Sequence, residues 1–149
     1  MNRPRELNRI PARVVCAALL VCAALVACTH GAARPSPAYG LVRGDAVEVC
    51  LPPGENIYLK ALRCPDGAPP HVERQGSVGT RTHLPNPDDP RVLLQMDPAA
   101  KIPRGDPDLH IVDAFRATCG ARESTLFLDM YHCGGPQPRA APEGFSLEE

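Results

Sequence analysis

Apolar positions are most regular in the last third of the chain. Residues 109–119 (LHIVDAFRATC) and 125–133 (TLFLDMYHC) are rich in β-branched, aromatic and aliphatic side chains, and five residues that include Gly120 separate them. Two such runs across a gap of that length predict a β-hairpin. In the second run Leu126, Leu128, Met130 and His132 share one face, and Phe127, Asp129, Tyr131 and Cys133 share the other. Both faces are largely apolar, so this strand is expected at the centre of a sheet. Residues 46–50 (AVEVC) alternate as a short strand would, and Pro52-Pro53-Gly54 stops it. Residues 55–63 (ENIYLKALR) predict a helix: they hold good helix formers, an acid in the first turn and an Arg in the last, with Tyr58, Ala61 and Leu62 on one face. Residues 91–96 (RVLLQM) read as a further strand and 97–107 as loop. Residues 65–90 contain six prolines, three glycines and few apolar side chains. They predict a long loop, of the kind that is either functional or disordered.

The N-terminal pattern is of another kind. Arg3, Arg5, Arg9 and Arg13 face a single acid, Glu6, and fourteen residues without charge, Gly or Pro follow at 14–27, leading into Cys28 as Leu25-Val26-Ala27-Cys28. A bilayer-spanning helix needs about 20 apolar residues, whereas the apolar core of an export signal is shorter. The segment resembles the signal peptide and lipobox of bacterial lipoproteins. That resemblance covers the first 28 residues and implies cleavage after Ala27 and a diacylglyceryl group on the Cys28 thiol. Each buried methylene contributes about 0.8 kcal/mol, so one chain holds marginally and two hold stably. The implied localisation is the cell envelope. Thr29, in place of Asp, implies the periplasmic face of the outer membrane or the cell surface where the cell has an outer membrane. Residues 29–40 (THGAARPSPAYG) read as a flexible tether. The expected organisation is therefore a signal peptide at 1–27, the lipidated cysteine and tether at 28–40, a small domain at 41–135 and a Pro-rich tail at 136–149. Phe145 and Leu147 give that tail a means of folding back.

From Cys28 onward, twelve Lys and Arg stand against sixteen Asp and Glu, a net side-chain charge of −4. A nucleic-acid partner calls for a basic footprint and is not expected. The expected partners are the membrane, through lipid on Cys28, and an envelope protein or glycan. With no Trp, three Tyr and three Phe, the core must rest on aliphatic side chains and covalent staples. Cys16 and Cys22 leave with the signal, so Cys50, Cys64, Cys119 and Cys133 predict two disulfides in an oxidising compartment. In a hairpin, Cys119 lies at the turn and Cys133 at the open end. At about 3.3 Å per residue they are much farther apart than the roughly 7 Å a disulfide can bridge. Two pairings remain open: Cys50 to Cys119 with Cys64 to Cys133, or Cys50 to Cys133 with Cys64 to Cys119. The fold expected is α+β, a small antiparallel sheet with one helix, Pro/Gly-rich loops and two disulfides.

The candidate chemistry is sparse. His110, Asp113, Asp129 and His132 offer zinc-type donors, but no pair has a spacing such as H-E-x-x-H, and neither a metal nor another cofactor is expected. The run Asp106-Pro107-Asp108 lacks the glycine and distal glutamate of an EF-hand loop and reads as solvated. Residues 74–83 gather two arginines, three hydroxyls and two glycines, so Arg74, Ser77 and Arg81 form a possible anion site. The stretch matches neither a P-loop nor a nucleophile elbow. His132 precedes Cys133 on a strand and points to the opposite face, so it does not activate that thiol. With no catalytic constellation, the expectation is a non-enzymatic binding or structural domain held at the envelope. The alternatives are a hydrolase or metal-dependent enzyme using His110, Asp129 and His132, and an immunity or inhibitor lipoprotein.

Overall fold

Two antiparallel strands, β4 (Ile111–Cys119) and β5 (Arg122–Asp129), form the centre of the fold. They pair from Val112↔Asp129 to Cys119↔Arg122. The connection is two residues, not the expected five, because Gly120 takes the left-handed conformation (φ 59°) that short hairpin turns require. A short β1 (Val47–Glu48) lies parallel to the free edge of β5, and β3 (His71–Thr80) lies antiparallel to β4, giving the order β1-β5-β4-β3. The architecture is the expected α+β one, with β5 in the interior as predicted and β1 the one parallel member. The computed structural model describes residues 35–86 and 88–148. The export signal, Cys28 and the start of the tether lie outside the described residues. Among the described residues no helix is long and apolar enough to cross a membrane.

The long-loop reading of residues 65–90 is corrected by β3. The prolines of that stretch fall on either side of it, and Gly76 and Gly79, both at positive φ, fall at or between the two register shifts of its pairing with β4. Glycine at bulges is what lets an edge strand bend. No residue of β3 is fully buried, so the ladder holds it and an apolar pattern could not announce it. Residues 91–96 are not a strand either. Asp89 accepts the Arg91 N–H at 2.9 Å and caps a short helix, α2 (Pro90–Gln95), with proline at its first position. The main helix, α1 (Leu51–Ala61), starts four residues before the expected boundary. Pro52 and Pro53 occupy its first turn, where an N–H needs no partner, and so they open the helix as well as ending the strand expected before it.

Between α1 and one face of the sheet lies the core: Val47, Val49, Tyr58, Leu62, Phe115, Ala117, Leu126 and Leu128. Tyr39 from the end of the expected tether, Leu41 from the start of the expected domain, and Phe145 and Leu147 from the expected tail pack against it. The C-terminal segment does fold back. β6 (Ser146–Leu147) pairs with β2 (Leu62–Arg63), and Tyr58 Oη donates to the Ala140 carbonyl at 2.9 Å. The disulfides are Cys50–Cys133 and Cys64–Cys119, with Cα separations of 4.6 and 5.7 Å. This is one of the two pairings left open: α1 runs from the open end of the hairpin back to its turn, so each cysteine of the helix unit meets the hairpin cysteine at its own end.

Candidate metal centre

Asp129 closes β5 with its side chain fully buried, level with Val112 of β4 and Glu48 of β1. Its Oδ1 accepts the Tyr131 N–H at 3.1 Å, a local turn that swings His132 back until Nε2 stands 2.9 Å from Asp129 Oδ2. Just before β4 a second turn of the same kind forms, where Asp108 Oδ1 accepts the His110 N–H at 3.1 Å. It sets His110 Nδ1 3.2 Å from the same carboxylate. Sequence reasoning grouped His110, Asp113, Asp129 and His132. The fold brings three of these together, replaces Asp113 by Asp108, and places Asp113 on the opposite face of the sheet, across from Leu128. The short patterns Asp-x-His and Asp-x-x-His were the available signal. Counting separations along the chain against known zinc motifs could not find a set assembled by two turns.

The donor atoms converge on one point. His110 Nδ1 lies 3.2 Å from His132 Nε2 and 3.4 Å from Asp129 Oδ2, and His132 Nε2 lies 3.5 Å from Asp108 Oδ2. Together the four residues offer ligand atoms within 4.8 Å of one another. Around a tetrahedral zinc with bonds of 2.0–2.2 Å, neighbouring ligand atoms stand roughly 3.3–3.6 Å apart. Four of the six spacings, 2.9–3.5 Å, lie close to that range, and the set as a whole extends to 4.8 Å. His110 is held between Tyr131, stacked at 5.3 Å, and the edge of His132 at 4.8 Å. Its Nε2 is buried with no hydrogen-bond partner among the described residues. All of the ring's polar contacts are therefore on the Nδ1 side.

Charge at the site is uneven. Burial disfavours ionised Asp129, but hydrogen bonds from His110 and His132 outweigh it and hold its carboxyl far below the ordinary range. Asp108 is lowered as well: burial opposes its charge, and hydrogen bonds from His132 and the His110 N–H overcome that. Burial works against an imidazolium at His132, yet hydrogen bonds to Asp108 and Asp129 carry it up to about 9. Arg81 lies across the open side of the group, its Nη1 2.9 Å from Glu48, 3.3 Å from Asp129 Oδ2 and 3.6 Å from Asp108 Oδ2. The site opens into a cleft of about 680 Å³ whose walls include Tyr39, Lys101 and Tyr131.

Arg81 thus serves the carboxylates of this site, while the other two members of the expected anion site serve Asp113. Arg74 donates to Asp113 Oδ2 through Nε at 3.0 Å and Nη2 at 2.7 Å, and Ser77 donates to Oδ1 at 2.7 Å. Beside them stands Glu55 of α1, 6% exposed. Burial, reinforced by the charge of Asp113 and opposed by Arg74, pushes its carboxyl up to about 7 from 4.5. The folded chain keeps this proton to a higher pH than the unfolded chain. Glu55 therefore costs nothing below about 4.5, and its penalty accumulates as pH rises toward 7. Allowing for solvent in the adjoining cleft, the penalty is on the order of 2 kcal/mol. Glu55→Gln should match the wild type in urea denaturation near pH 4 and exceed it by that amount near pH 8. An equal difference at both pH values would show that Glu55 is not ionising against its surroundings.

No protein-family model, curated protein or solved structure was found to match this chain.

Proposed function

We propose that the chain is exported, anchored at the cell envelope through lipid on Cys28, and binds a divalent transition-metal ion, zinc for preference, through Asp108, His110, Asp129 and His132. The observation that carries the metal reading is at His132 Nε2. That nitrogen has one proton or one lone pair, yet His110 Nδ1, Asp108 Oδ2, Asp129 Oδ2 and Arg81 Nη1 all stand within 3.5 Å of it. A single hydrogen bond cannot serve four neighbours. A cation displacing the proton and accepting both imidazole lone pairs and both carboxylates satisfies the group together. Four protein donors complete a tetrahedron, whereas a catalytic zinc keeps one position for water. The reading is accordingly a binding protein and not a hydrolase. The anchor rests on the charged, apolar and lipobox segments in their order along residues 1–28.

The competing reading takes Arg81 as the resident cation and the group as a closed ion-pair network. Both are tested on the full chain extracted from membranes in mild detergent and titrated with zinc after chelation. The expected result is one zinc per chain, lost in His132→Ala and kept in Asp113→Ala. No stoichiometric zinc would assign the cluster to Arg81. Cys28→Ala should accumulate as uncleaved precursor lacking covalent lipid. Normal cleavage of that variant would remove the anchor from the proposal.

A further inference from the structure

On the face of the sheet opposite the metal centre, α1 and strands β3 and β4 enclose a second cleft of about 620 Å³. Its apolar wall is formed by Pro52, Leu59, Pro70, Val72, Phe115 and Met130, with exposed Asn56 among the polar residues at its margin. The volume is that of a small-molecule site, where apolar walls surround a few placed polar groups. The polar groups here are unequal. Asp113 is 3% exposed and saturated by Arg74 and Ser77. Glu55 is nearly as buried, makes no ion pair among the described residues, and leaves Oε1 without a hydrogen-bond partner among them. Lys60, the other cation lining the cleft, sits on an exposed position.

We infer that this cleft binds a small organic cation, an ammonium or guanidinium group on an apolar body, with Glu55 as its counter-ion. An anion would find Arg74 already committed to Asp113 and would meet the unpaired Glu55, with Lys60, on an exposed position, as the one remaining cation of the cleft. A neutral apolar ligand would fill the walls and strand the Glu55 oxygen in a dry site, which is costly for any polar group. A cation supplies donors to that oxygen and holds the carboxylate ionised, while its apolar body covers Phe115 and Met130. Proteins hold such charge-assisted pairs more tightly than neutral ones. The inference does not depend on the metal reading, since the two sites share no residue.

The test uses the full chain in mild detergent, with methyl-labelled methionine, titrated above neutral pH. The probes are benzamidine and benzylamine as cations, benzyl alcohol as the neutral counterpart and benzoate as the anion. The cations should shift the Met130 methyl resonance and bind at least about tenfold more tightly than benzyl alcohol, with no binding of benzoate. Glu55→Gln should lose that preference, and Glu48→Gln, in the other cleft, should keep it. Equal binding of cation and alcohol by the wild type, no perturbation of Met130 at millimolar cation, or full cation preference in Glu55→Gln would each overturn the inference. The first two readings need no variant, so the inference stays testable even if Glu55→Gln misfolds.

Discussion

Reducing both disulfides should unfold the domain outright at room temperature. Cys50–Cys133 spans 83 residues and encloses Cys64–Cys119, which spans 55. In the chain-entropy account the inner bridge contributes about 4.2 kcal/mol. Because the loops are nested, the outer bridge then constrains only the roughly 28 residues the inner one leaves free, and adds about 3.6 kcal/mol. Together they contribute about 8 kcal/mol, against a total stability of about 5–15 kcal/mol for an ordinary domain. The core gives little reserve, since it rests on a few aliphatic side chains and β3 has no fully buried residue. Far-UV circular dichroism of the thiol-blocked, reduced chain should lose its cooperative melt. The paired variant Cys50→Ala with Cys133→Ala should remain folded with a lowered urea midpoint. A reduced chain that melts cooperatively within a few degrees of the oxidised one would show that the core holds without its staples.

The hairpin was legible because its strands bury side chains in a period the sequence displays, whereas β3 was not, because backbone pairing and polar side-chain bonds to β4 hold it and none of its residues is fully buried. At α2 and α1 the same residue types carried two meanings. Proline after Asp89 opened a helix, and Pro52-Pro53, read as ending a strand, opened another. Three of the four cluster residues were legible by chemical type; Asp113 stood in the place of Asp108, and the register of the hairpin is what separates Asp113 from the rest. A loop of five residues would pair Cys119 with Thr125 and put Asp113 and Asp129 on one face. The actual two-residue turn pairs Cys119 with Arg122 and Asp113 with Leu128. A register change by an odd number of residues turns every side chain to the other face. It therefore sent Asp113 to the Glu55 cleft and left Asp129 with the histidines. Glu55 gave no sequence signal, since with a helix expected from residue 55 it is an ordinary first-turn acid, and its burial follows from where α1, which begins at Leu51, docks.

Asp129→Ala, measured without metal, should cost about 3–5 kcal/mol, and Asp113→Ala should cost clearly less. Both acids are almost fully buried, at 0% and 3% exposure, and each accepts from an arginine, so burial and pairing alone would rank them equal. The difference lies in what each deletion strands. Arg74 is half exposed at its side chain and can turn its guanidinium to water once Asp113 is gone. Arg81 is 13% exposed, and the carbonyls of Gly44 and Ala46 hold it from behind, each at 3.3 Å. It would keep Glu48 and Asp108, but the ring nitrogens of His110 and His132 would then face each other and Arg81 with no carboxylate between them. The Tyr131 N–H would also lose its acceptor, and with it the turn that returns His132 to the cluster. Urea denaturation of both variants after chelation measures the comparison directly. Equal losses would mean that Arg81 escapes to solvent as readily as Arg74, and that Asp129 is not the group on which the cluster is built.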